Sequence, residues 1–255
     1  MYGYRAWRRQ WGDGRHCGGA LVWQLNDCWP AISWAIVDYF LRPKPAYYAM
    51  ARILQPVAVG VEREHHDWSV SHARPVKASK FELWAVNSGQ EELEALVELR
   101  AISVDTGLEV RDRIVHEHVR LVANGTTNII RDGIIDHSIH PEPYVLAARM
   151  WVNGHLVARD VDWPQPFKYL DLSDRGLEIR ELEVDSAAER RLLISTKKPV
   201  KCLVFEERLN VTLSDSALDI MPGDSQIVTV MGLKEGDEPL RWTFLDQENM
   251  GEKRK

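Results

Sequence analysis

The sequence predicts a mixed fold: an α/β segment of the kind found in a parallel sheet or (β/α)8 barrel, followed by two antiparallel β-sandwich domains. Three observations carry this expectation. The first 55 residues follow a helix–strand–loop–helix rhythm, which belongs to a parallel sheet or barrel. From Val57 onward apolar and polar residues alternate with period two, as on half-buried strands. Between those strands lie tight-turn signals, among them Asn153-Gly154, the strongest short-range mark of a hairpin.

The elements follow in order. "MYGYRAWRRQW" places Tyr4, Trp7 and Trp11 on one stripe, which predicts an amphipathic helix over about 2–11. Opening in mid-helix, the chain is expected to lack its native beginning. "GDGRHCGG" is a glycine-rich turn, and "GGALV" then reads as a buried strand over about 20–25. A long loop runs to about Leu41. "KPAYYAMARILQ" predicts a helix, with Pro43 and Pro45 suited to its start and Pro56 to its end.

In the next part, "KFELWAV" is a strand. "LEALVELRAISVDTGLEVRDRIV" reads as two strands about Asp105-Thr106-Gly107, and "VLAARMWVNGHLVARDV" as two about Asn153-Gly154. "DWPQPFKYL" is the expected linker. In the last part "GLEIRELEV", "RRLLISTK", "PVKCLVFEE" and "SQIVTVMGL" are strands. "SDSALDIMPGD" supplies turn chemistry, and the tail "NMGEKRK" is polar. The expected domains are therefore residues 1–56, 57–163 and 164–255.

Composition removes several function classes. Apolar residues make up 45% and charged residues 27%, with a formal net charge of −6. No clustered Lys/Arg excess marks a nucleic-acid partner, and no apolar run is long enough for a membrane span. Three cysteines, Cys17, Cys28 and Cys202, are too few for a disulfide framework or zinc site and read as buried thiols. His65, His66 and Asp67 look like metal ligands. However, adjacent strand residues point to opposite faces, so a solvated loop is the better reading. Asn124-Gly-Thr and Asn210-Val-Thr are formal glycosylation sequons. Asp171–Gly176 is a turn without calcium-loop spacing.

The chemically distinctive stretch is "WQLNDCWPAISW", Trp23–Trp34. A strand end rich in aromatic and polar groups, followed by a long loop, suits the C-terminal rim where barrel enzymes place their active sites. An indole can carry the apolar C–H face of a pyranose while Asn26 and Asp27 reach its hydroxyls. Trp23 and Trp29 are the candidate sugar platforms, and Asn26 and Asp27 are polar neighbours that face the sugar or hold the loop. Trp34 is expected to pack the loop, Asp38 to accept structural hydrogen bonds, and Cys28 to act as a small buried hydrophobe.

"GGALVWQLNDCWPAISWAIVDYFLRPKPAYYAMARILQPVAVGV" closely resembles the last barrel strand and helix of the glycoside hydrolase family 2 β-mannosidases, especially the fungal kind. "WQLNDCWP" is specific to that group, and "YRAWRRQW" resembles the helix before that strand. The resemblance implies that the two sandwiches are the immunoglobulin-like domains that follow the barrel. It further implies retaining hydrolysis of terminal β-mannosides by two glutamates, without a cofactor or metal. Such pairs stand about 5–5.5 Å apart. The family's glutamates lie in an "NE" pair and a "SEFG"-like stretch, and neither string occurs here. No catalytic residue is therefore assigned, and the chain alone is expected to be inactive. The implied partners are β-mannoside oligosaccharides or glycans and the N-terminal domains of the same enzyme. With no targeting signal the compartment stays open, with a lean toward an intracellular one. Two other functions remain: a non-catalytic sandwich module that supports a partner or binds glycan, and an exo-glycosidase of another sugar specificity.

Overall fold

The computed structural model describes residues 11–12, 15–17, 19–64, 77–140, 143–164, 167–183, 189–234 and 236–245. The helix expected over 2–11 lies outside the described residues, except that Trp11 falls in a short strand. So do His65, His66, Asp67 and the polar tail. Trp11–Gly12 (β1) and Arg15–His16 (β2) form a small antiparallel pair. The helix expected after Leu41 forms as Pro45–Ile53 (α1). Pro45 opens it, as a residue with no N–H to lose and a preset φ should.

The strand expected over 20–25 does not form: these residues join no sheet among the described residues. A parallel strand is stable when flanked on both sides. Its only local counterpart here is a parallel bridge between Asn26 and Val37. The fold is otherwise all antiparallel β, in two compact units. One comprises residues up to 20, 52–103 and 109–169, and the other 21–51, 104–108 and 170 onward.

In the first unit Val57–Arg63 (β3), Ala78–Asn87 (β4) and Gly125–Asp136 (β7) form one sheet, in the order β3-β4-β7. Leu93–Ser103 (β5), Ile114–Leu121 (β6), Tyr144–Val152 (β8) and His155–Asp162 (β9) form the other, in the order β6-β5-β8-β9. Alternation decides which residues enter the core between them. Val97, Leu99 and Ala101 of β5, Leu146, Ala148 and Met150 of β8, and Phe81, Leu83 and Ala85 of β4 are all buried in one cluster. Burying each larger aliphatic contributes about 1.5–3 kcal/mol. Asn153 and Gly154 both have positive φ (51° and 76°) and close the β8–β9 hairpin in two residues, as a type I′ turn requires. In β3, Gly60 lies directly across from Trp84; a Cβ there would come within 2.3 Å of the indole.

The second β-part has Glu178–Leu182 (β10), Glu189–Ser195 (β11), Val200–Phe205 (β12), Thr212–Leu213 (β13), Leu218–Ile220 (β14), Gln226–Met231 (β15) and Trp242–Thr243 (β16). Their sheets run β10-β11-β15-β13 and β14-β12-β16. Ile194, Val200, Leu203, Phe205, Leu218, Ile220, Val228 and Val230 fill the space between them. "SDSALDIMPGD", read as turn alone, contains a true strand in β14. Residues 171–176, expected as a turn, form no regular turn; the segment is organised by the buried Arg175. Its guanidinium donates to the carbonyls of Asp171, Ser173 and Val104 at 2.7–3.0 Å.

Candidate functional site

The segment from Leu21 to Lys44 contains few regular elements, and its shape comes from a few specific bonds. The Ile36 N–H donates to the Gln24 carbonyl (3.2 Å), Val37 N–H to Leu25 O (2.9 Å) and Asp27 N–H to Val37 O (3.1 Å). These bring the two arms of the loop side by side. The intervening residues 28–35 carry Trp29 and Trp34, and Trp23 stands just before the first arm. The Trp23–Gln24 peptide is cis.

Asp27 sits beneath this arrangement, 5% exposed. The Ser33 hydroxyl donates to Oδ1, in a short contact, and the Lys44 ammonium donates to Oδ2 at 3.0 Å. The Ser33 oxygen also accepts the Ala35 N–H at 3.0 Å. The Ser33 hydroxyl and then Lys44 hold the Asp27 carboxyl below the usual carboxylate range. Lys44 in turn is fixed at the start of α1, where its own N–H donates to the Ile36 carbonyl at 2.9 Å. Asp27 thereby ties Ser33 of the loop to Lys44. Asn26 is exposed, and its amide donates to the Asp27 carbonyl at 3.2 Å.

The three tryptophans project from this frame: Trp23 is 74% exposed, and Trp29 and Trp34 are each 72% exposed. Leu21, Leu25, Ile32, Phe40 and Leu41 are exposed as well, while Ile36 is half-buried. Trp34, expected to pack the loop, is as open as the two platform candidates. Cys28 is also exposed, and Cys17 and Cys202 are half-buried. The expectation of buried thiols therefore fails, because Cys28 sits on the open loop beside Trp29.

Asp38 is the structural acceptor expected of it, taking the Arg42 backbone N–H at 2.9 Å and pairing with its guanidinium. Burial opposes its ionisation, but the bonds from Arg42 outweigh that and lower its pKa. Arg42 reaches on to Glu207, Nε to Oε2 3.6 Å. Burial pushes the Glu207 carboxyl up, against the pull of Arg42. Ser33, Lys44, Arg42 and Glu207 were not legible as site residues. Their partners lie 4 to 165 positions away, and only the "RPKP" cluster before α1 hinted that cations converge there. Among the described residues no group of three or more His, Cys, Asp or Glu could hold a metal, and no helix is long and apolar enough to cross a membrane.

Comparison with known proteins shows what this chain is similar to. Residues 79–169, from β4 to the short 3-10 helix Phe167–Tyr169, match the mannosidase Ig/CBM-like domain. Beta-mannosidase B of Aspergillus fumigatus is 72% identical over 247 residues, covering 97% of this chain and 29% of that protein. Beta-mannosidase B of Aspergillus oryzae is 67% identical over the same shares. Among solved structures, the β-D-mannosidase of Dictyoglomus thermophilum shares the fold with a TM-score of 0.73 at 20% identity, over 95% of this chain and 28% of that one. The exo-chitosanase of Amycolatopsis orientalis does so at 0.67 and 14% identity, over 94% and 32%. The chain thus spans about 29% of the length of the fungal β-mannosidases that it resembles.

Proposed function

We propose that this chain is the C-terminal portion of a β-mannosidase, a retaining glycoside hydrolase that removes terminal non-reducing β-D-mannose from oligosaccharides or glycans. Residues 1–56 supply the last strand and helix of its catalytic barrel, and 57–163 and 164–255 supply two immunoglobulin-like domains. The observation that carries this reading is the 72% identity over 97% of the chain, which includes the whole Trp23–Trp34 stretch. The N-terminal domains of the same enzyme are the partner. They would bring both catalytic glutamates and cover the apolar surface at Leu21, Leu25, Ile32 and Phe40. The strand expected over 20–25 would form once its neighbours flank it.

Within that enzyme Trp23 is the apolar platform under the mannose in the cleavage site, and Trp29 stands on the flanking loop. Asn26 faces the sugar as a polar neighbour, and Asp27 contributes through the loop that it holds. Stacking supports the ring without using its hydroxyls, so the hydroxyls stay free for polar contacts and the anomeric carbon is aligned with the nucleophile.

The test is hydrolysis of an aryl β-mannoside by this chain and by the extended protein, side by side. General acid–base assistance contributes roughly 10²–10⁴-fold, and this chain supplies neither glutamate of the pair. The extended protein should turn over the substrate with retention, and the chain alone should not. Hydrolysis by the pure chain, lost on Asp27→Asn, would overturn the assignment and make Asp27 a working carboxylate.

A further inference from the structure

We infer that Lys44, acting through Asp27 and Ser33, is a positioning residue that sets the tryptophan-bearing loop and so the sugar seated on it. The sugar rests on the β-mannosidase reading, whereas the clamp rests on the observed bonds alone. Asp27 is buried, and each of its oxygens has a donor, Ser33 on one and Lys44 on the other. Ser33 belongs to the loop, Asp27 to its first arm, and Lys44 to the entry of α1. The loop is thereby tied at its far end by a hydroxyl and at its base by an ammonium, in addition to the three arm-to-arm backbone bonds.

The chemistry explains why the clamp needs a cation. A buried carboxylate without a charged partner is costly, and removing one member of a buried pair leaves the other uncompensated. Without Lys44 the Asp27 carboxylate would seek water, carrying Ser33 and the loop with it. Trp29 lies on that loop, and Trp23 stands directly before the clamped arm. Lys44 itself touches no sugar in this account.

Variants of the extended protein decide it, with kcat and KM measured on an aryl β-mannoside and chymotryptic cleavage after Trp34 measured without substrate. Hydrogen bonds to charged groups are the stronger ones, so Lys44→Met should raise KM about tenfold or more, with a smaller effect on kcat, and should speed cleavage of the loop. Lys44→Arg should restore KM to within about threefold of wild type, since it keeps a donor and a charge. Adding Asp27→Asn to Lys44→Met should cost no more than the worse single change, because both cut one interaction. Wild-type KM and wild-type loop cleavage in Lys44→Met would overturn the inference. If Lys44→Met fails to fold, Ser33→Ala takes its place: faster loop cleavage supports the clamp and unchanged cleavage overturns it. If the wild-type protein does not hydrolyse β-mannosides, the functional reading fails by itself, and loop cleavage still decides the clamp.

Discussion

Asp27 shows how a residue type and a position can be legible while the role is not. The sequence places an acid beside two tryptophans, and a sugar contact is the chemistry that pattern suggests. The fold turns the acid inward, onto Ser33 and Lys44, 6 and 17 positions further on. No periodicity links those positions, so the network was unreadable, whereas the aromatic cluster that it carries was plain. The pH consequence has a definite sign. The Asp27 and Asp38 carboxyls are held below their ordinary range, so their contribution to loop stability is complete above the unfolded value, about pH 3.9. It is lost as pH falls through the lower folded values. Chymotryptic-type cleavage of the loop needs neutral pH, so acrylamide quenching of tryptophan emission down an acid titration is the suitable measurement. A loop transition below about pH 4 is expected, and Asp27→Asn should remove the Asp27 share of it, leaving that of Asp38. The tryptophans separate by function. In the extended protein Trp23→Ala should lower kcat/KM at least about tenfold, roughly 1.4 kcal/mol of transition-state stabilisation. Trp34→Ala should mainly lower Tm. Wild-type kinetics for Trp23→Ala with loss for Trp34→Ala would reverse the two roles.

Elements differ in legibility according to how local their causes are. The β8–β9 hairpin was read to the residue, because Asn153-Gly154 fits a two-residue turn with both φ values positive. Helix α1 was read nearly as well, because proline marks its start. The β6 strand was expected directly after Gly107, but it begins only at Ile114. The residues between are taken up by Glu109, which bridges Arg100 at 2.9 Å and Arg113 at 2.8 Å. Strand β7, "GTTNIIRDGIID", has glycines and aspartates that strands usually lack, and they mask the signal of its Thr and Ile residues. Pairing with β4 forms it, and Gly133 leaves room for the Phe81 ring, which a Cβ would approach to 2.3 Å. The same close fit at Gly60 yields a prediction. Gly60→Ala would put a methyl group into the Trp84 indole, which is 1% exposed and has little room to move. Overpacking of this kind costs about 1–3 kcal/mol, and urea unfolding should show it as a lower midpoint at unchanged m.

At the scale of the whole molecule, the two kinds of surface on this chain call for different partners. The β-sheets bury most of their larger apolar residues in two separate clusters. The Leu21–Leu41 segment does the opposite, exposing three tryptophans, three leucines, an isoleucine and a phenylalanine within twenty-one residues. Contiguous exposed apolar residues of this kind mark an interaction surface or an aggregation liability. Covered by the barrel of the proposed enzyme, Leu21, Leu25, Ile32 and Phe40 would be ordinary core. Left open, they should associate. The chain alone should therefore self-associate as its concentration rises in light scattering, and Trp23, Trp29 and Trp34 should be readily quenched by acrylamide. In the extended protein Trp34 should be largely protected, and Trp23 and Trp29 should become so when a mannoside binds, which single Trp→Phe changes would resolve one by one. Brief proteolysis of the chain should cut between Leu21 and Leu41 first and leave the sandwiches whole, since loops with few buried contacts open at the least free-energy cost. Early cleavage within β5 or β8, with the tryptophan segment intact, would mean that the surface is already covered in the chain by itself, and the proposed covering by a barrel would fall.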